Sequence, residues 1–171
     1  MNKKDFYIFL DIDGVLWDWP FLKKGIKNGS IKRGGIVKDL NKNCIFALNK
    51  LISNLNKKYN THLVISSSWR LNMTHTIKTL YDHGLKYNGF IDRTKFLKSR
   101  IRGLEIKQYL NNKVNKRNYV VIDDETSDIY PFIPKEKVIK TNLYQSLNNN
   151  HIKKYLKILN KNNIEKETVI K

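Results

Sequence analysis

The stretch that decides the reading is FYIFLDIDGVLWDW, residues 6–19, in which an apolar run ends at Asp11 and Asp13 and is followed at once by Gly14. A short run rich in aromatic and β-branched residues, closed by polar ones, reads as a buried strand. Two more segments have the same form. Leu63–Ile65 ends in Ser66, Ser67 and Ser68, and Tyr119–Ile122 ends in Asp123 and Asp124. Val138 and Ile139 suggest a last strand.

Helical spacing fills the intervals. Cys44, Leu48, Leu51, Ile52 and Leu55 form one face, Met73, Ile77, Leu80 and Tyr81 a second, and Ile106, Tyr109 and Leu110 a third. Strands alternating with helices predict an α/β fold with a parallel central sheet covered on both faces, a Rossmann-like three-layer α/β/α arrangement. At 171 residues the chain is expected to form one domain, residues 1–171, with 151–171 a basic C-terminal helix or tail. Residues 17–43 read as a loop. Within them, Phe21 to Asp39, with Gly25, Gly29, Gly34 and Gly35, suggests a flap beside the acidic pair or ordinary turns.

Lys and Arg number 33 against 15 Asp and Glu, a formal net charge of +18. That balance favours a polyanionic partner such as nucleic acid, although abundant Lys, Asn and Ile throughout also fit a plain solvated surface. Cys44 is the only cysteine, so no internal disulfide can form and a reducing, cytoplasmic setting is expected. The N-terminal apolar run is too short for a secretory signal, and no segment approaches the roughly 18 apolar residues of a membrane span.

In an open parallel sheet the reactive site lies beyond the carboxyl ends of the strands. The three strand ends would bring Asp11, Asp13, Asp123 and Asp124 together with the serines. Carboxylates packed so closely raise one another's pKa unless a cation neutralises them. Oxygen ligands without a His or Cys cluster point to a hard ion, Mg2+. His62, His75, His83 and His151 lack metal-ligand spacing. A calcium EF-hand loop fails, because Gly14 takes the fourth place counting Asp11 as the first, where such a loop needs glycine at the sixth, and an apolar Val15 follows.

The motifs DIDGVL (11–16), VISSS (64–68), a basic residue before the third strand, and VIDDE (121–125), in that order, resemble the haloacid dehalogenase-like (HAD) phosphohydrolases. SSSWR, RGLEIKQYL and YVVIDDE look more narrowly like the HAD phosphatase domain of Swiss Army Knife RNA repair proteins, best over residues 60–125, with Tyr109 where Trp is expected. The resemblance implies a HAD fold with a minimal cap domain or none, Asp11 as nucleophile through an aspartyl-phosphate, and Asp13 as general acid and base. It gives Mg2+ to Asp11, the Asp13 carbonyl, Asp123 and Asp124.

Phosphate binding falls to Ser66 or Ser67, with Ser68 better suited to capping the next helix, and to a cation for which Arg102 ranks ahead of Lys107, with Lys98 and Arg100 as competitors. Arg70 is expected to contact substrate. Asp128 is expected to orient a ligand or the cation, Glu125 to face solvent, and Trp17 and Trp19 to pack or to stack on a base. The resemblance further implies removal of a terminal phosphate, such as a 3′-phosphate, from RNA or another polynucleotide, before a separate kinase or ligase acts. A 5′-nucleotidase, another small-molecule or protein phosphatase, and a noncatalytic polyanion-binding module remain as alternatives.

Overall fold

The computed structural model of the protein describes residues 3–31 and 39–168, with side chains as far as residue 161. In chain order the elements are β1 (Lys4–Leu10), α1 (Trp19–Lys27), α2 (Lys42–Asn56), β2 (Tyr59–Ile65), α3 (Met73–Asp82), β3 (Ile91–Arg93), α4 (Arg102–Asn111), β4 (Tyr119–Asp123), β5 (Val138–Lys140) and α5 (Asn149–Thr168). The five strands are all parallel, in the order β3-β2-β1-β4-β5. This is the Rossmann-like α/β architecture expected from the sequence.

The two-residue period of each strand divides its side chains between two cores. Phe6, Ile8 and Leu10 of β1, Leu63 and Ile65 of β2, and Val120 and Ile122 of β4 face one layer, where they meet Leu48, Leu51 and Leu55 of α2 and Ile152 and Tyr155 of α5. Tyr7, Phe9, Val64, Tyr119 and Val121 face the other, against Ile106 and Leu110 of α4 and Ile129 and Ile133 of the segment after β4. Cys44 is buried in the first core, and burial pushes its thiol up to about 11. Its Sγ lies 3.0 Å from Ser146 Oγ, which itself donates to Asp18.

Three features depart from the sequence reading. First, β2 starts at Tyr59, and β3 was not anticipated; its three residues include only one buried apolar side chain, Ile91, too little to give a period. Second, residues 17–43 are not all loop. Asp18 caps α1 by accepting from the Phe21 amide (2.9 Å), and Pro20 lies in the first turn, the arrangement that starts a helix. Third, the part of the expected flap up to Ile31 is this helix and a turn folded back on it. The Ile31 amide donates to the Gly25 carbonyl (3.0 Å), and a Cβ on Gly25 would overlap the Ile31 side chain. Gly34 and Gly35 lie outside the described residues, as does any fraying of the basic tail beyond Thr168. No inserted cap domain occurs among the described residues, and no helix there is long and apolar enough to cross a membrane.

Asp18 also joins distant parts of the chain, since its other carboxylate oxygen accepts from the Ser146 amide (3.2 Å) and hydroxyl (2.6 Å). Asp18→Ala is therefore expected to lower stability by ~2 kcal/mol, the loss of a helix cap plus a tertiary hydrogen bond. Urea denaturation measures this, and an unchanged midpoint would show that the joint carries no weight.

Candidate active site

The ladder fixes the strand ends relative to one another. Leu10 is in register with Ile65 on one side and Ile122 on the other. The next residues continue the pairing: the Asp11 amide donates to the Ile122 carbonyl and the Ser66 amide to the Leu10 carbonyl, both at 3.0 Å. Asp11, Ser66 and Asp123 therefore meet at one edge. Carboxylate oxygens of Asp11, Asp123 and Asp124 all lie within 4.8 Å of one another.

Arg102, at the first position of α4, is the cation of this site. Its Nη1 donates to Asp11 Oδ1 (2.6 Å) and to Asp123 Oδ2 (2.8 Å). Burial opposes the Arg102 charge, but Asp123 and Asp11 outweigh it and hold the group above its ordinary pKa. Burial raises Asp11 and Asp123 above the usual carboxylate range. Arg102 pulls both down, and each also feels its acidic neighbours. Asp124 is raised too, first by burial.

Two glycines permit the approach. Gly14 has φ +67°, and a Cβ there would overlap the Asp124 carboxylate. Gly103 lets α4 begin against the segment after β4, because a Cβ would lie 2.7 Å from the Asp128 carbonyl oxygen and 2.8 Å from Phe132. Asp128 then holds the helix start from outside, its Oδ2 accepting from the Arg102 amide (2.8 Å) where Ile101 supplies no cap. Asp128 thus positions the helix that carries the cation.

Asp13 stands beside this cluster, close enough for its charge to raise Asp11, but is not part of it. Its Oδ1 accepts from two indoles, Trp17 Nε1 (2.9 Å) and Trp69 Nε1 (3.1 Å), and its side chain is outside the three-carboxylate cluster. Sequence reasoning took Trp17 for packing or base stacking and did not assign Trp69. Trp19 is 42% exposed and meets Trp17 edge-on.

Ser66 and Ser67 separate in role. Ser66 Oγ is fully buried without a hydrogen-bond partner, whereas Ser67 Oγ accepts from the Trp69 amide and caps the short 3-10 turn Ser68–Asn72. Capping was expected of Ser68. An orphaned buried hydroxyl at a strand end is one that a ligand can satisfy.

Neither Arg70 nor Lys107 hydrogen-bonds to the acidic cluster, although Arg70 is close enough to feel the charge of Asp11. Arg70 is 3% exposed and pairs with the buried Glu105 (2.6 Å), while its other nitrogen donates to the Ser66 carbonyl (2.6 Å) and Thr94 Oγ1 (2.8 Å). Its guanidinium is an internal strut rather than a free fork for substrate, because α4 brings Glu105 against it; no local spacing could reveal a partner 35 residues away. Lys107 is exposed on α4. At 3.6 residues per turn, five positions carry it well around the helix from Arg102. Among the histidines, His62 pairs with Asp5, His75 stacks on Trp69, His83 lies near Asp39 and His151 accepts from the Asn148 amide.

A family model described as the HAD domain in Swiss Army Knife RNA repair proteins matches residues 7–152. The chain belongs to that family. The match takes in the end of β1, the other four strands whole and the site just described, and HAD domains are hydrolases and phosphatases in general. No curated protein and no solved structure matches the chain.

HAD domains generally use Mg2+, and the residues here fit such an ion. The donors are all oxygens, and one guanidinium faces three crowded carboxylates whose pKa values are held up first by burial and then by repulsion from neighbouring acids, which for Asp124 is Glu125. A hard divalent cation would supply the missing positive charge.

The Arg70–Glu105 pair yields a direct test. Glu105→Ala leaves a buried guanidinium uncompensated and is expected to cost about 3–5 kcal/mol in denaturant unfolding. Replacing both with apolar residues, Arg70→Met with Glu105→Leu, should recover much of that loss. Stability unchanged by Glu105→Ala would return Arg70 to the substrate side of the site.

Proposed function

We propose that the protein is a Mg2+-dependent phosphomonoesterase that removes a terminal phosphate from a polynucleotide through an aspartyl-phosphate on Asp11. The single observation that carries this reading is the convergence of Asp11, Asp123 and Asp124 within 4.8 Å, with Arg102 bridging the first two, at the strand edge shared with the unpartnered hydroxyl of Ser66. Family membership supports the phosphatase chemistry, and the RNA repair context of that family, with the net charge of +18, supports a nucleic-acid substrate, with a 3′-phosphate as the first end to test.

Asp11, Asp123, Asp124 and the Asp13 carbonyl would hold Mg2+. When bound, such an ion would supply charge that offsets the repulsion between the attacking carboxylate and the phosphate. The chain's own residues do the rest. Arg102 fixes the orientation of the Asp11 carboxylate and offsets its charge as the phosphate approaches. Ser66 Oγ donates to a nonbridging phosphate oxygen. An Asp11 oxygen attacks phosphorus, the ester P–O bond breaks, and Asp13 delivers its proton to the leaving oxygen. Water then cleaves the acyl phosphate while Asp13 takes its proton back. Phosphate and the free Asp11 carboxylate result.

Trp17 and Trp69 serve this step by position. With both indoles on Oδ1, the other oxygen of Asp13 is left to carry the proton. Phe at both positions keeps the rings and removes the donors; kcat is expected to fall by about tenfold, on the scale of two neutral hydrogen bonds, while KM changes little. A rise in KM with kcat unchanged would assign the indoles to substrate binding.

A substrate panel tests the whole reading: RNA and DNA oligomers phosphorylated at the 3′ or 5′ end, nucleoside monophosphates and a phosphopeptide, with EDTA or Mg2+. The expected pattern is Mg2+-dependent release of phosphate from oligomers, lost in Asp11→Asn. Added salt should suppress turnover of oligomers far more than of mononucleotides, because only the longer polyanion displaces many counterions. Equal salt sensitivity would favour a 5′-nucleotidase, and no hydrolysis of any substrate would leave a noncatalytic polyanion-binding module.

A further inference from the structure

Next to Arg102 opens a cleft of ≈ 770 Å3, and its lining includes Leu71, Phe96, Lys98 and Arg100. None of these four side chains takes part in the chemistry proposed for the acidic cluster. Leu71 is 75% exposed and Phe96 48%, so the cleft presents apolar surface to solvent at the edge of a charged site. Lys98 and Arg100 are exposed, and neither is in an ion pair among the described residues. The acidic lining is already engaged or lies at the Arg102 end: Glu105 pairs with Arg70, Asp128 accepts from the Arg102 amide, and Glu125 follows Asp124.

Phe96 is held, not merely exposed. The Arg70 guanidinium lies 3.7 Å from the centroid of its ring and covers it from inside the protein. Arg70 is fixed in turn by Glu105, Thr94 and the Ser66 carbonyl. Glu105 also accepts from the amide of Leu97 (3.0 Å), so one buried carboxylate fastens both the loop that carries Phe96 and the cation behind the ring. A rigid aromatic backed by a guanidinium, flanked by two unpaired cations, has the parts of a single-strand binding site: a platform for a base and charges for the phosphates beside it.

The geometry points to a nucleotide shelf. A base of a single-stranded polynucleotide, next to the end being processed, stacks on Phe96, and Lys98 and Arg100 hold the adjoining phosphodiesters, while the terminal phosphate reaches Arg102 and Ser66. This rests on the phosphatase reading for the last contact alone. It makes the substrate a strand of at least two nucleotides rather than a mononucleotide, and it gives Arg70 the part of a positioning residue.

Binding, measured apart from turnover, tests it. A fluorescein-labelled single-stranded octanucleotide with a 3′-phosphate is titrated with the full chain in EDTA, by anisotropy, with the end phosphate checked intact afterwards. Phe96→Ala is expected to weaken binding by about tenfold, the scale of one lost base stack, and Phe96→Tyr to restore it. Phe90→Ala, at an aromatic 81% exposed that does not line this cleft, should have no effect. Lys98→Ala with Arg100→Ala should reduce the dependence of log K on log salt by about 1.4, for two phosphate contacts on a single strand. An abasic strand of equal charge should compete about tenfold less well than the octanucleotide against wild type, and no less well against Phe96→Ala.

An abasic strand or a phosphopeptide of equal charge that competes as well as the octanucleotide would overturn the shelf. So would equal affinity of Phe96→Ala and wild type together with an unchanged salt slope in the double variant. Intact binding behaviour without any hydrolysis would keep the shelf and reject the phosphatase reading. Hydrolysis of oligomers with none of the binding effects would do the reverse.

Discussion

Carboxylates do not gather inside a protein unaided, and at the carboxyl edge of this sheet it is Arg102 that lets Asp11 and Asp123 lie buried side by side. The first dependence of the site is therefore on the position of one guanidinium, and that position is a matter of where α4 begins. Gly103 removes the side chain that would keep the helix away from the segment after β4, and Asp128 anchors the first amide of the helix. A shift of α4 along its axis would separate charge from countercharge. The same bridge leaves the cluster with more negative than positive charge, which is the condition under which a hard divalent ion is bound.

A second charged pair runs parallel to the first and does different work. Arg70 and Glu105 are both buried, so the attraction between them is set against a large desolvation cost, and their net worth lies in what they fix. Glu105 is on α4, three residues past Arg102, and reaches the 94–97 loop; Arg70 follows the serine turn after β2. Through them one helix sets the Arg102 cation, the serine turn and the aromatic floor of the neighbouring cleft. Asp13 is tied to the same turn by Trp69. Asp13, the Ser66 hydroxyl and the cleft are thus parts of one connected body.

Much of this was legible before any coordinates. The three strands with polar ends were found because a buried parallel strand is a continuous apolar run, and its end is abrupt. Asp11, Asp123, Asp124 and Ser66 follow, since strand ends in such a sheet share an edge. β3 is hidden by its brevity and α1 by its loop-like composition, although Asp18 and Pro20 carry a helix-start signal. Arg70 looked like a substrate ligand because it stands four residues from Ser66; proximity in sequence said nothing of the carboxylate that α4 brings to it.

The sequence by itself determined the layer order, the strand ends and the acidic edge, because these depend on hydrophobic period and on chain direction, which are local properties. Only the tertiary structure decided which cation meets the acids, which serine keeps a free hydroxyl, where the indoles of Trp17 and Trp69 point, and that Phe96 faces a cleft over Arg70. Those outcomes depend on helix rotation and on contacts between residues far apart in the chain, and neither quantity is written in any short stretch of residues.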